Sequence, residues 1–210
     1  MNLTSLLRSS KEPMAYLALA TAMAGGVAFA MRPALPASQQ PTVPRNEADA
    51  LILRNALGLA SGQATLVEFM DFQCPPCRAS YPGLKAVLKA HPRAAYRAVN
   101  FPLSMHIYAF GAAVASEIAR EHGQHDRVFD DLFTGKTDLD PGSLNAYLRR
   151  RGLPAIVGKA ESSRFEKTVR AEMKMAQDLK VNSTPTLFVL DRNGSLTEVR
   201  GIENVSRLLD

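Results

Sequence analysis

The residues best suited to chemistry in this 210-residue chain are its two cysteines, set two residues apart as Cys74-Pro75-Pro76-Cys77. A pair at this spacing closes a small disulfide with little rearrangement of the backbone, which suits reversible redox chemistry better than a structural staple. The pair follows an apolar run, Val67-Glu68-Phe69-Met70-Asp71-Phe72, and opens a helical pattern. This predicts a strand that delivers both cysteines to the start of a helix. Unpaired backbone N–H groups and the helix dipole favour a thiolate there, and the thiolate is the nucleophile of thiol–disulfide exchange. The competing uses of such a pair are a half zinc site and an idle disulfide. Zinc normally takes four ligands, and the sequence holds no second C-x-x-C or histidine pair at ligand spacing, so neither metal nor cofactor is expected.

The two sulfurs divide the work. Cys74, expected to be the more exposed, is the attacking thiolate or the sulfur attacked. Cys77, within the first helical turn, is the resolving thiol that releases a partner from a mixed disulfide. Arg78 either adds positive potential beside them or is a solvated helix residue. Glu68 is the most informative charge: a carboxylate inside an apolar central strand is penalised by desolvation, so it holds its proton more tightly than in water. A raised pKa suits proton exchange with a buried Cys77. On an edge strand Glu68 would merely be solvated. Asp71 is expected at the exposed end of the strand.

Two further stretches extend the pattern, Asn100-Phe101-Pro102-Leu103-Ser104-Met105-His106 and Ser183-Thr184-Pro185-Thr186-Leu187-Phe188-Val189. With the cysteine segment, and in this order, they resemble the DsbA-like branch of the thioredoxin-fold superfamily over residues 63 to 210. The resemblance implies an α/β, thioredoxin-like fold with a central mixed β-sheet and an inserted helical subdomain. It implies that Pro185 is cis, faces the cysteines and, with Thr184, Pro75 and Pro76, borders the substrate; a plain trans turn is the alternative. Glu68, six residues before Cys74, matches the buried acid of that family. His106 matches its histidine after the strand, where a helix-start or packing role suffices. Met70, Phe72, Met105 and Tyr108 line a peptide groove or belong to the core. The sequence departs from the family's best-known oxidase at the central dipeptide, Pro-Pro in place of Pro-His, and both oxidase and reductase directions stand open. The implied partners are protein thiols and disulfides as substrates and a membrane or periplasmic redox partner.

Positioning these residues falls to a chain of ordinary globular composition, 46% hydrophobic and 21% charged with a net charge of +5. Its one basic run, Arg149-Arg150-Arg151, ends a helical pattern before Gly152, where the dipole favours cations, so no nucleic-acid partner is expected. Residues 1–31 read as a targeting segment: Arg8 and Lys11 precede an uncharged stretch from Met14 to Met31, and Ala28-Phe29-Ala30 fits a cleavage pattern. Cleavage leaves a soluble bacterial periplasmic protein; retention leaves residues 14–31 as an inner-membrane anchor. Residues 32–45, with Pro33, Pro36, Pro41 and Pro44, read as a semi-extended linker.

The folded domain is placed at 46–210. Helices are predicted over Glu47–Leu57, capped by Asn46 and ended by Gly58, and over Pro75–Ala90, with a kink at Pro82. Strands are predicted at Ala64–Phe72, Ala95–Phe101, Thr186–Leu190 and Ser195–Arg200, the last two joined by an Asp191–Gly194 turn. A helical insert occupies about 104–180. The sequence leaves a second function open, a thioredoxin-fold binding or chaperone-like module with incidental cysteines.

Overall fold

A computed structural model describes residues 42–156 and 160–209; the expected signal peptide or anchor, and the linker up to residue 41, lie outside the described residues. Strands β1 (Thr42–Pro44), β2 (Thr65–Met70), β3 (Ala95–Asn100), β4 (Thr186–Leu190) and β5 (Leu196–Val199) form one sheet in the order β1-β5-β4-β2-β3. β2 runs parallel to β3 and antiparallel to β4, so the sheet is mixed. The fold is α/β and thioredoxin-like, with a helical subdomain inserted between β3 and β4. Among the described residues no helix is long and apolar enough to cross a membrane.

β2 sits between β3 and β4, and every one of its residues is buried. Alternation divides its side chains between two layers. Val67 and Phe69 pack with Leu53 of α1 (Glu47–Leu57) and with Ala176 and Leu179 at the end of α6 (Ala160–Asp178). Leu66 and Met70 face the side of α2 (Pro75–Ala90), where Leu84 and Cys77 are buried. Glu68 shares the parity of Leu66 and Met70, so it too faces the cysteine helix.

The insert contributes α3 (Ala109–Glu121), α4 (His125–Phe133), α5 (Pro141–Arg150) and most of α6. A small-residue face of α3 is buried, with Ala112, Ala113, Ala115 and Ile118 at 0–2% exposure. Phe72, just past β2, meets Phe129 and Phe133 of α4 at ring separations of 5.3 and 4.8 Å, which fixes the insert against the end of the cysteine strand.

The predicted caps of α1 are in place. Asn46 accepts from the Asp49 N–H at 2.8 Å, and Gly58 closes α1 with φ +59°, a conformation that costs glycine little. Asp140 accepts from the N–H groups of Gly142 and Ser143 ahead of Pro141 at the first position of α5. A 3₁₀ turn (Ile202–Asn204) and α7 (Ser206–Leu209) follow β5.

One boundary differs from expectation. Thr42–Pro44, assigned by their prolines to the linker, pair antiparallel with β5. A proline is tolerated there because β1 is an edge strand. Arg45 anchors the start of the domain: its guanidinium donates to Asp49, to Glu198 and, at 2.6 Å, to the Leu179 carbonyl.

Candidate active site

β2 ends at Met70, the chain turns through Asp71, Phe72 and Gln73, and α2 begins at Pro75 with Cys74 as its N-cap. The Cys74 carbonyl accepts the first helical bond from the Arg78 N–H at 3.1 Å, and the Cys74 N–H donates to the Asp71 carbonyl at 3.1 Å. Both cysteines are free thiols. Pro75 and Pro76 are exposed beside them. The expected contrast in cysteine exposure is slight: Cys74 keeps 3% of its surface and Cys77 1%. Cys74 is covered because its Sγ lies 3.2 Å from the Thr184 carbonyl oxygen, a contact across 110 residues of sequence.

Thr184–Pro185 is a cis peptide bond. Thr184 is buried and Pro185 half-buried, and the Thr184 carbonyl sets this loop against Cys74. The structure brings Cys74, Cys77, Glu68 and Thr184 together, with Pro75, Pro76 and Pro185 next to them in the chain.

Glu68 is buried, at 3% exposure, and its carboxylate accepts a 2.6 Å hydrogen bond from the Tyr96 hydroxyl of β3. Desolvation raises its pKa from 4.5 to about 7, against the lowering pull of that hydrogen bond. Desolvation also pushes the Cys77 thiol well up; the charges of Cys74 and Glu68 push the same way, while a backbone hydrogen bond involving Asp71 opposes them. Glu68 and Cys77 are therefore electrostatic neighbours. Sequence reasoning missed Tyr96. It lies within a predicted strand, but only the parallel register, Glu68 opposite Ala98 and Leu66 opposite Tyr96, sets its hydroxyl over the acid.

Two expectations are corrected. Asp71 is 1% exposed, not a solvated strand end. Its Oδ1 accepts from the Gln73 N–H at 2.7 Å, and its Oδ2 accepts from the Leu103 N–H at 2.8 Å and meets His106 Nδ1 at 2.7 Å. Burial is tolerated because each oxygen has partners. Arg78 is not a free helix residue: it donates to the Phe72 carbonyl at 2.8 Å and to the Leu132 carbonyl at 3.2 Å, tying the cysteine loop to α4. His106 precedes α3 and links it to the loop. Met70 and Phe72 are core, whereas Met105 and Ile107 are 75% exposed and Tyr108 38%. A cavity of about 390 Å³, lined by Gln73, Arg78, Tyr108 and Leu139 among others, opens next to them. Among the described residues no cluster of three or more His, Cys, Asp or Glu side chains is placed to hold a metal ion.

Residues 54–210 match the family model described as thioredoxin. The chain belongs to the thioredoxin family. Its fold is that of the DsbA-like proteins: it aligns with a thioredoxin-like oxidoreductase from Silicibacter pomeroyi at TM-score 0.56 and 24% identity, covering 76% of this chain and 95% of that one. It aligns with the thiol-disulfide exchange protein alpha-DsbA2 from Wolbachia pipientis at TM-score 0.60 and 17% identity, over 78% of this chain and 94% of that one. Among curated relatives, the Na(+)/H(+) antiporter NhaA 3 of Salinispora tropica is 31% identical over 145 residues, 64% of this chain and 21% of that protein. The chain thus spans about a fifth of the length of such relatives.

Proposed function

We propose that the protein is an exported thiol–disulfide oxidoreductase that exchanges disulfides with protein substrates through Cys74-Pro75-Pro76-Cys77. The observation that carries this is the joining of the parts at one place: Cys74 Sγ lies against the Thr184 carbonyl, and the buried Cys77 feels the charges of both Cys74 and a proton-holding Glu68.

In the reductive direction the Cys74 thiolate attacks a substrate disulfide. A Cys74–substrate S–S bond forms, the substrate's own S–S bond breaks, and one substrate sulfur leaves as a thiolate. In this mixed disulfide Cys74 carries no charge, so one of the influences that hold the proton on Cys77 is gone. Cys77 then gives its proton to Glu68 and attacks the Cys74 sulfur. The intramolecular disulfide forms, the second substrate sulfur leaves, and two electrons have passed from the pair to the substrate. Oxidation of a dithiol substrate is the reverse sequence. The substrate chain seats between exposed Pro75–Pro76 and the Thr184–Pro185 loop, with Met105 and Ile107 offering apolar contact beside it.

Export rests on residues 1–31, whose basic start and apolar stretch suit a signal peptide or an inner-membrane anchor; we place the domain in the periplasm, with a membrane or periplasmic redox partner. The activity named for the antiporter relatives is not carried over, given the fifth of their length that this chain spans. The test is equilibration of the purified protein with a disulfide-bonded protein and with glutathione, alongside thiol trapping of Cys74 and Cys77 in cells. Catalysed exchange, lost in Cys74→Ser, is expected. A wild type no faster than the double serine variant would leave a binding module with incidental cysteines.

A further inference from the structure

The buried acid has an unusual holder. No ion pair reaches Glu68 among the described residues; what holds its carboxylate is a phenol, the Tyr96 hydroxyl at 2.6 Å. A proton taken up at this depth must leave again in every catalytic cycle, and β2 is covered on both faces and flanked by strands. Tyr96 lies on β3, the strand at the sheet's edge, and its ring packs against buried neighbours on the cysteine-helix side. It also lines a cavity of about 330 Å³.

That cavity is polar where it matters. Tyr81 and Lys85 reach it from α2, Arg97 from β3, Arg120 from α3, and His125 and Asp126 from α4. Most of these groups are already committed: Lys85 and the Tyr81 hydroxyl engage Asp130, and Arg120 engages Glu117. His125 is different, for its Nε2 is buried and has no hydrogen-bond partner among the described residues. A cavity of this size holds several waters, and an imidazole nitrogen without a partner suits one of them. Tyr96 therefore touches both a buried carboxylate and a cavity lined by charged side chains.

We propose that Tyr96 is the positioning residue of the exchange reaction: its hydroxyl holds the Glu68 carboxylate toward Cys77 and links it to water in the cavity bordered by His125. The hydroxyl favours the charged carboxylate without itself ionising, so Glu68 stays a usable base even though no cation neutralises it. The link conserves protons. When Glu68 has taken the Cys77 proton, the acid donates to the Tyr96 oxygen while the phenol releases its own proton to cavity water, and the tyrosine ends neutral as it began. This role rests on the proposed proton transfer between Cys77 and Glu68.

Tyr96→Phe keeps the ring and its packing and removes only the hydroxyl. The pH dependence of the resolving step is read by single-turnover release of a substrate held as a mixed disulfide on Cys74. In parallel, the infrared carboxyl band of Glu68 is titrated, with the Glu68→Gln spectrum subtracted. In wild type the step is expected to accelerate as pH rises through the Glu68 titration. Tyr96→Phe should move that midpoint up by about one pH unit in both readouts, slow the step about tenfold at neutral pH, and have no further effect on a Glu68→Gln background. A midpoint that stays put in Tyr96→Phe, while Glu68→Gln abolishes the pH dependence, would overturn the tyrosine's role and leave the base intact. A pH profile unmoved by Glu68→Gln itself would sink the base, and the tyrosine with it. Stability lost in Tyr96→Phe with both midpoints unchanged would mark the tyrosine as packing only.

Discussion

Asp71 Oδ2 lies 2.7 Å from His106 Nδ1, and through that contact the loop beneath the cysteines is joined to the entry of the helical insert. The same carboxylate accepts from the backbone N–H groups of Gln73 and Leu103, so one side chain holds the cysteine loop and the 103–106 turn together. Asp71→Ala would strand both N–H groups in a partly buried place, at about 1–2 kcal/mol for each. A drop of roughly 2–4 kcal/mol in unfolding free energy is expected from urea titration. Asp71→Asn, which keeps an acceptor, should lose less. A neutral Asp71→Ala would mean that water replaces the carboxylate at little cost.

The division of labour between the cysteines is open to direct trapping. With Cys77→Ser, Cys74 still attacks but nothing resolves the product, so mixed disulfides with substrate proteins are expected on non-reducing gels. Cys74→Ser should give none. The opposite pattern would reverse the roles, a real possibility to exclude given that exposure separates the two sulfurs by so little, 3% against 1%.

What the sequence made legible was what local chemistry dictates. Asn46 marks a helix start by its side chain and Gly58 a helix end by lacking one, and the cysteine pair, Glu68 and Thr184–Pro185 stand out by residue type and order. What it hid depends on pairing between distant segments. Asp71 reads as a strand-end acid until Leu103 and His106 fold over it, and Tyr96 is one strand residue among many until the β2–β3 register is known. Arg78 looks solvated because its acceptors are backbone carbonyls, one of them 54 residues away. β1 was masked by prolines that forbid a central strand but not an edge one.

A second buried acid makes stability depend on pH. The Asn100 side chain donates to Glu172 at 2.8 Å and to Glu117 at 3.0 Å, beneath α3 and α6. Desolvation first, and the charge of Glu117 second, raise the Glu172 pKa from 4.5 to about 8. Glu68 is raised in the same sense, to about 7. Between pH 4.5 and 8 the folded protein thus binds more protons than the unfolded chain, so these two groups lower stability as pH rises through that window. His125, pushed below its usual 6.5 by burial, acts oppositely, toward the acid end of it. Unfolding free energy is expected to fall by on the order of 2 kcal/mol from pH 6.5 to 8.5, with Glu172→Gln removing about two-thirds of the slope. Urea titrations across that range check both, and a flat profile in wild type would show that neither glutamate is held protonated in the fold.

The last expectation concerns the dipeptide between the cysteines. Of the first three helical positions of α2, Pro75, Pro76 and Cys77, only Cys77 carries an N–H, and the next N–H, that of Arg78, is already given to the Cys74 carbonyl. The helix start therefore offers a Cys74 thiolate few backbone donors, and no charged side chain stands between the two sulfurs. Pro76 is exposed, so a larger polar side chain fits there without repacking the core. Pro76→His would add one backbone donor and an imidazole that supplies positive charge when protonated, both of which favour the thiolate. Stabilising the thiolate stabilises the reduced pair and makes it a stronger oxidant. A tenfold change in that balance is about 1.4 kcal/mol, or about 30 mV for a two-electron couple. Pro76→His is expected to raise the reduction potential by a few tens of millivolts, about 30 to 60 mV, as read by equilibration of wild type and variant against the same glutathione buffers. An unchanged potential, or one that moves down, would place control of the redox poise outside the dipeptide, with the Thr184 carbonyl beside Cys74 as the next group to test.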